Sequence, residues 1–187
     1  MSTGYQICDQ EGLYYLTIQV VDWIDVFTRQ IYRDIVLDSL RYCQQNKSLQ
    51  IFGYVIMSNH IHLIANSPIG ELSATIRDFK KFTSKQILNT IETGNESRKE
   101  WMLNRFMFNG QKHSRNERYQ FWTHENHTVQ LFSPEFTQEK LHYLHQNPIR
   151  AGLIAKPEDY LYSSARNYAG IEGLLDVVKL DILWITY

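Results

Sequence analysis

Two apolar, β-branched runs, Leu49 to Met57 (LQIFGYVIM) and His60 to Asn66 (HIHLIAN), are separated only by Ser58 and Asn59. So short a polar break leaves room for little but a tight turn, and the spacing predicts an antiparallel hairpin. Tyr14 to Val21 (YYLTIQVV) is a third strand-like run, with Leu16, Ile18 and Val20 on one face. Between it and the hairpin, Tyr32, Ile35, Val36 and Cys43 recur at helical spacing, so Gln30 to Gln45 reads as an amphipathic helix. Pro68 and Gly70 end the hairpin. Glu71 to Thr93 then reads as a long helix, closed by Gly94, with Leu72, Ile76, Phe79, Ile87 and Ile91 on one face. Asn95 to Arg118 is polar, basic and without a clear period. Tyr119 to Leu131 (YQFWTHENHTVQL) reads as a last strand with flanking loops. Ser133 and Pro134 open another helix as N-cap and first position, and Pro148 is expected to stop it after Asn147. One or two short helices are expected around Pro157 to Tyr168 and Gly173 to Ile182.

The resulting order, β-α-β-β-α-β-α, is that of an α+β, ferredoxin-like (RRM-like) antiparallel sheet with helices packed on one face and an added C-terminal helix. The other face is left for a ligand. The chain of 187 residues suits a single domain, with a core of about 14–147 and a C-terminal helical extension over 148–187. Two distant cysteines, Cys8 and Cys43, show no metal-ligand spacing and suit a reduced, cytoplasmic setting. No apolar run approaches the ~20 residues that span a membrane, and Met1 to Gly12 has no apolar stretch of the signal-peptide kind.

The net charge of −1 hides a polarised distribution. Arg77 to Arg118 holds ten Lys/Arg against five Asp/Glu, a surplus of +5, and the remainder of the chain carries −6. On the long helix, Arg77, Lys81 and Lys85 recur four residues apart opposite the apolar face, with Lys80 beside them. Such a stripe can track a phosphate backbone; it can equally be a solvated face.

His60 and His62 lie two apart in a predicted strand, so they share one face while Ile61 and Leu63 point to the core. Two imidazoles so placed can chelate one divalent cation, or simply be two surface histidines. On the helix after Pro134, Phe136, Lys140, Tyr143 and Asn147 fall along one stripe. A phenol is a possible nucleophile and a carboxamide oxygen a possible ligand, although a core Tyr and an Asn before Pro are common. Trp122, His124 and His127 lie in the last predicted strand and are candidates to line a site, Trp122 more readily as core.

Together, YVIMSNHIHLIAN, FKKFTSK, QFWTHENH and YLHQNPIRAGLI…PEDYLYSSARNYAG resemble the HUH single-tyrosine transposases, nearest the REP-associated tyrosine transposase branch. The resemblance spans about Tyr14 to Gly170. The family's turn before the histidines appears here as Met57-Ser58-Asn59-His60, with Ser in place of the usual Pro. The resemblance implies that His60 and His62 hold Mg²⁺ or Mn²⁺, with Asn147 as a third ligand, and that Tyr143 attacks a DNA phosphate. It implies a 5′-phosphotyrosine, a free 3′-OH and resealing without ATP, in keeping with the absence of a Walker motif. Implied partners are single-stranded or hairpin DNA, REP-like or from insertion-sequence ends, and a possible second copy of the chain, since related enzymes include dimers. A phenol loses its proton only near pH ~10 in water, so a base, a water or nearby positive charge has to assist. Two alternatives stay open: a non-catalytic DNA- or RNA-hairpin-binding protein of the same fold, and a metal-dependent nuclease that uses water.

Overall fold

A computed structural model of the chain describes residues 6–112 and 118–180. Three main strands form where the apolar runs lie: β1 Tyr14–Gln19, β2 Gln50–Ile56 and β3 His60–Asn66. A short β4, Val129–Gln130, completes an antiparallel sheet in the order β2-β3-β1-β4. The hairpin closes at once, with Met57 N–H donating to the His60 carbonyl at 2.9 Å. β3 therefore sits in the middle of the sheet, and β1 pairs along it with Thr17 opposite His62 and Gln19 opposite His60.

The two faces of the sheet take different cover. Leu16, Ile18, Tyr54, Ile56, Ile61 and Leu63 enter the main core with α1 (Gln30–Asn46) and α2 (Leu72–Thr93). The alternate residues Tyr15, Val55 and Ile64 meet Leu141 and Leu144 of α4 (Pro134–Arg150) on the opposite face. The face expected to be free is thus partly covered by the tyrosine-bearing helix. Leu141 and Leu144 are 4% and 0% exposed, and burying such a side chain contributes about 1.5–3 kcal/mol. Gly53 lets α4 come close: a Cβ there would lie 2.8 Å from Leu141 Cδ1.

One unassigned stretch gains an element, and three local expectations need correction. The unassigned basic stretch contains a helix, α3 (Lys99–Gln111), which buries Met102 and Phe106 one turn apart. The last strand is much shorter than 119–131. Trp122 bridges Val20, but between it and β4 the chain departs from the sheet, with His127 at φ +34°. Pro148 does not stop α4. The helix runs through it to Arg150, and beyond Pro148 the backbone bonds resume with Ala151 N–H to the Asn147 carbonyl at 3.0 Å. A proline removes one donor within a helix, and here its ring is buried, so packing offsets that loss. In the tail, α5 (Ala165–Tyr168) follows a 3₁₀ turn at Pro157–Asp159. The described part of Gly173 to Ile182, up to residue 180, is not helical: Val178 N–H donates to the Ile51 carbonyl at 2.9 Å. Residues 181 and 182 lie outside the described residues.

β1 ends in a tight turn where Asp22 and Trp23 both have left-handed φ, +53° and +54°. Such backbone costs about 1–3 kcal/mol per non-glycine residue. The Asp22 carboxylate accepts from Arg105 at 2.6 Å and Asn109 at 2.7 Å, both on α3, and this holds the turn. Among the described residues no helix is long and apolar enough to cross a membrane.

Candidate active site

His60 and His62 project from the middle strand onto the α4 side of the sheet, their ring centroids 4.6 Å apart and inclined at 72°. His60 Nδ1 meets Asn59 Oδ1 at 2.7 Å, and His62 Nδ1 meets Thr17 Oγ1 at 3.0 Å. With Nδ1 so engaged in each ring, Nε2 is the nitrogen that can take a cation, and the Nδ1 partners fix the ring orientations. Burial pushes the His60 imidazole down to about 4 and His62 down to about 3. At His62 the adjacent His60 adds to the effect and a hydrogen bond with the Asn147 side chain opposes it. Both rings are thus neutral near pH 7, the form a metal requires.

α4 brings its stripe to this pair. The Tyr143 ring is 6.0 Å from that of His62 and 39% exposed. Asn147, one turn on, donates from Nδ2 to the Tyr143 carbonyl at 2.9 Å while its carboxamide also meets His62. Continuation of the helix through Pro148 adds Arg150, whose guanidinium carbon lies 4.6 Å from the Tyr143 ring centroid. Below, Tyr15 of β1 stacks on His62 at 5.2 Å and faces Tyr143 edge-on at 6.4 Å. The Tyr15 hydroxyl is buried and has no hydrogen-bond partner of good geometry. Burial, reinforced by Tyr143, raises its pKa far above that of a free phenol.

Sequence reasoning did not find Tyr15, Thr17, Asn59 or Arg150 in this site. Tyr15 and Thr17 share the face of β1 opposite its main-core residues, but only the register shows that Thr17 faces His62. Arg150 stands seven residues after Tyr143 and becomes its neighbour only because the helix passes Pro148.

The other candidates lie elsewhere. Arg77, Lys81 and Lys85 are exposed on α2, and Arg77 pairs with the neighbouring Asp78 at 3.4 Å. Lys80 donates to the Thr123 carbonyl at 2.8 Å and to Asn126 Oδ1 at 2.6 Å, and burial pushes its amine down to about 8. Trp122 is core. It stacks on Phe27 at 5.7 Å and donates from Nε1 to Thr83 Oγ1 at 3.0 Å. His124 lines a pocket of about 440 Å³ with Arg77, Lys80, Asn126, Ser73 and Thr128, and His127 is exposed in the same irregular segment. That segment adjoins the histidine pair through Thr17, whose N–H donates to the Asn126 carbonyl at 2.9 Å.

Among the described residues no three His, Cys, Asp or Glu side chains cluster as a metal site. A cation at His60 and His62 would therefore complete its shell with oxygen from elsewhere, and the Asn147 carboxamide is the side chain in place to offer it. Two neutral imidazoles with an amide oxygen fit a divalent cation.

A sheet with a histidine pair on its middle strand, facing a helix-borne tyrosine, brings two candidate metal ligands and a candidate nucleophile to one place. The family description "Transposase IS200 like" matches residues 12–131, and the chain belongs to that family. The match includes both histidines and ends before α4. A solved structure of a REP-associated tyrosine transposase bound to a REP hairpin is similar over 100% of this chain and 99% of that one, with a TM-score of 0.61 and 16% identity. No curated protein matches the chain.

Proposed function

We propose that this transposase cuts and rejoins single-stranded or hairpin DNA through Tyr143, with Mg²⁺ or Mn²⁺ held by His60, His62 and Asn147. The observation that carries this reading is the Tyr143 ring 6.0 Å from His62 within one chain. In the reaction Tyr143 Oη forms a bond to phosphorus and the bond from phosphorus to the 3′-oxygen breaks. The phenolic proton leaves to water or base, and the departing 3′-oxygen gains one. His60, His62 and Asn147 would hold the cation, and when bound it would supply positive charge where negative charge builds on the scissile phosphate. Asn59 and Thr17 hold the imidazoles in orientation, and Arg150 adds a fixed positive charge beside the nucleophile. Attack by a 3′-OH on the phosphotyrosine restores the strand and needs no ATP.

The similar solved protein binds a REP hairpin. DNA with a hairpin and single-stranded flanks is accordingly the substrate class proposed for this chain. The exposed Arg77, Lys81 and Lys85 on α2, with the pocket that Arg77 lines beside His124, supply its phosphate contacts. The test is incubation of such hairpins with the protein and Mn²⁺, followed by a denaturing gel. A covalent adduct that is present in wild type and absent in Tyr143→Phe supports the reading. DNA binding without any adduct points to the non-catalytic alternative. Cleavage that persists in Tyr143→Phe points to a nuclease that uses water.

A further inference from the structure

Much local structure holds one exposed indole beside the histidine pair. Trp23 is 58% exposed, and its ring lies edge-on to His60 with centroids 6.0 Å apart. Its neighbours Val21 and Ile24 are only 4% and 3% exposed, so the turn itself is anchored in the core. Trp23 and Asp22 both adopt left-handed backbone, which persists in residues with side chains only where the surroundings enforce it. The enforcement is visible. Arg105 and Asn109 grip the Asp22 carboxylate, and the Trp23 carbonyl accepts from Asn59 Nδ2 at 3.3 Å. Asn59 also holds His60 Nδ1 at 2.7 Å. One side chain thus sets the positions of both the indole and the imidazole. The surface around the indole is polar: Asn59 Nδ2 also bonds Asp25 at 3.0 Å, and Arg98 donates to the Asp25 carbonyl at 3.0 Å. A protein partner would want a wider apolar patch there. A single aromatic face among polar groups suits a flat, polar-edged base.

We propose that Trp23 is a stacking platform for the unpaired base of a nucleotide adjoining the phosphate held at His60 and His62. The proposal rests on the DNA reading given above. Every base has a π-face, so the platform takes the nucleotide without reading its identity. Its effect is to fix the direction in which the strand leaves the histidine pair.

The test measures binding, independently of adduct formation. The full chain is titrated with DNA hairpins whose single-stranded flank bases are replaced, one at a time, by fluorescent 2-aminopurine. In wild type one flank position is expected to be quenched by stacking, and Trp23→Leu should abolish that quenching while Trp23→Phe retains part of it. On natural flanks Trp23→Leu should weaken binding about tenfold. With an abasic site at the quenched position, wild type and Trp23→Leu should bind alike. Equal affinities on natural flanks, or an equal loss on abasic ones, overturns the proposal while the DNA reading stands. If wild type binds no flanked hairpin, both fall. Should Trp23→Leu fail to fold, the quenching pattern in wild type and Trp23→Phe still decides: no quenched position in either sinks the idea.

Discussion

The Arg150 guanidinium lies over the Tyr143 ring, 4.6 Å from its centroid, two turns further along the same helix. Its charge also reaches the Tyr15 hydroxyl, which it acts to acidify. Among the described residues no carboxylate forms an ion pair with Arg150. In the reaction proposed above, a cation in that place would stabilise negative charge that develops on the phosphate. Arg150→Gln is expected to slow adduct formation about a hundredfold, the size of effect seen when one charge-stabilising group is lost. Hairpin affinity should change little. Equal single-turnover rates for Arg150→Gln and wild type would remove Arg150 from the site.

Tyr143 and His62 meet within one chain, and Leu141 and Leu144 anchor α4 to its own sheet. The tyrosine should therefore act in cis. Mixing a His60→Ala/His62→Ala variant with Tyr143→Phe should give no adduct, since neither chain then holds a complete site. Recovery of adduct in the mixture, scaling with protein concentration, would show instead that copies of the chain exchange α4.

The hairpin and its histidine pair were readable because period-two alternation and a two-residue break are local signals. The pairing of Thr17 with His62 was not, since register depends on the assembled sheet. Helix α3 was hidden by its composition: Met102 and Phe106 are spaced one turn apart, but basic and polar residues dilute the stripe. Pro148 misled for a physical reason. Proline disfavours helix by a local cost, and that cost is overridden where tertiary packing buries its ring and the bonds resume beyond it. The same misreading hid Arg150. The left-handed turn at Asp22 and Trp23 lacks any glycine or asparagine that would have marked it.

Two buried histidines, His62 and His145, and the half-buried His60 predict a definite response to acid. Burial holds His60 near 4, and His62 and His145 near 3, with His142 adding to the shift at His145. In the unfolded chain a histidine protonates near ~6.5. Below that pH the unfolded state binds more protons, so this contribution to stability is complete above ~6.5 and is lost as pH falls toward the folded values. Each group removes up to about 1.4 kcal/mol per pH unit inside that window. Glu96 adds a second, more acidic step. Burial pushes its carboxyl up, but bonds from Arg98, Tyr32 and Arg29 prevail and hold it down at about 2. Its contribution is present above ~4.5 and lost as pH approaches 2. Urea midpoints measured from pH 7 to 4 should fall from about pH 6.5 downward, less steeply in His145→Gln. A flat profile between pH 6.5 and 4.5 would contradict the burial of these rings.

Low histidine pKa values also bear on metal binding. Protons compete with a cation for imidazole only where the free rings protonate. An exposed pair would lose Mn²⁺ below pH ~6.5, whereas His60 and His62 should retain it at pH 5.5. Electron paramagnetic resonance of free Mn²⁺ at the two pH values checks this, with His60→Ala/His62→Ala as the blank. Release at pH 5.5 equal to that of the double variant would count against a site at these rings.

The basic residues of α2 divide into two groups with different expected behaviour. Arg77 has a side-chain exposure of 73%, and its partner Asp78 is also bound by Lys47 at 2.6 Å. Lys81 and Lys85 are exposed on the same helix. Lys80 instead spends its ammonium on the Thr123 carbonyl and Asn126 Oδ1. A lysine that neutralises a phosphate releases a counterion and contributes about 0.7–0.9 to the slope of log affinity against log salt. Arg77→Gln/Lys81→Gln/Lys85→Gln should therefore flatten that slope by about 2–3 and weaken binding to all DNA sequences alike, with thermal stability nearly unchanged. Lys80→Gln should show the reverse: a loss of about 1–3 kcal/mol of stability from two broken charge-assisted bonds, and a nearly unchanged salt slope. If the triple variant keeps the wild-type slope, the stripe is a solvated face and the DNA follows another path. If Lys80→Gln alone flattens the slope, its ammonium leaves Asn126 for a phosphate when DNA binds.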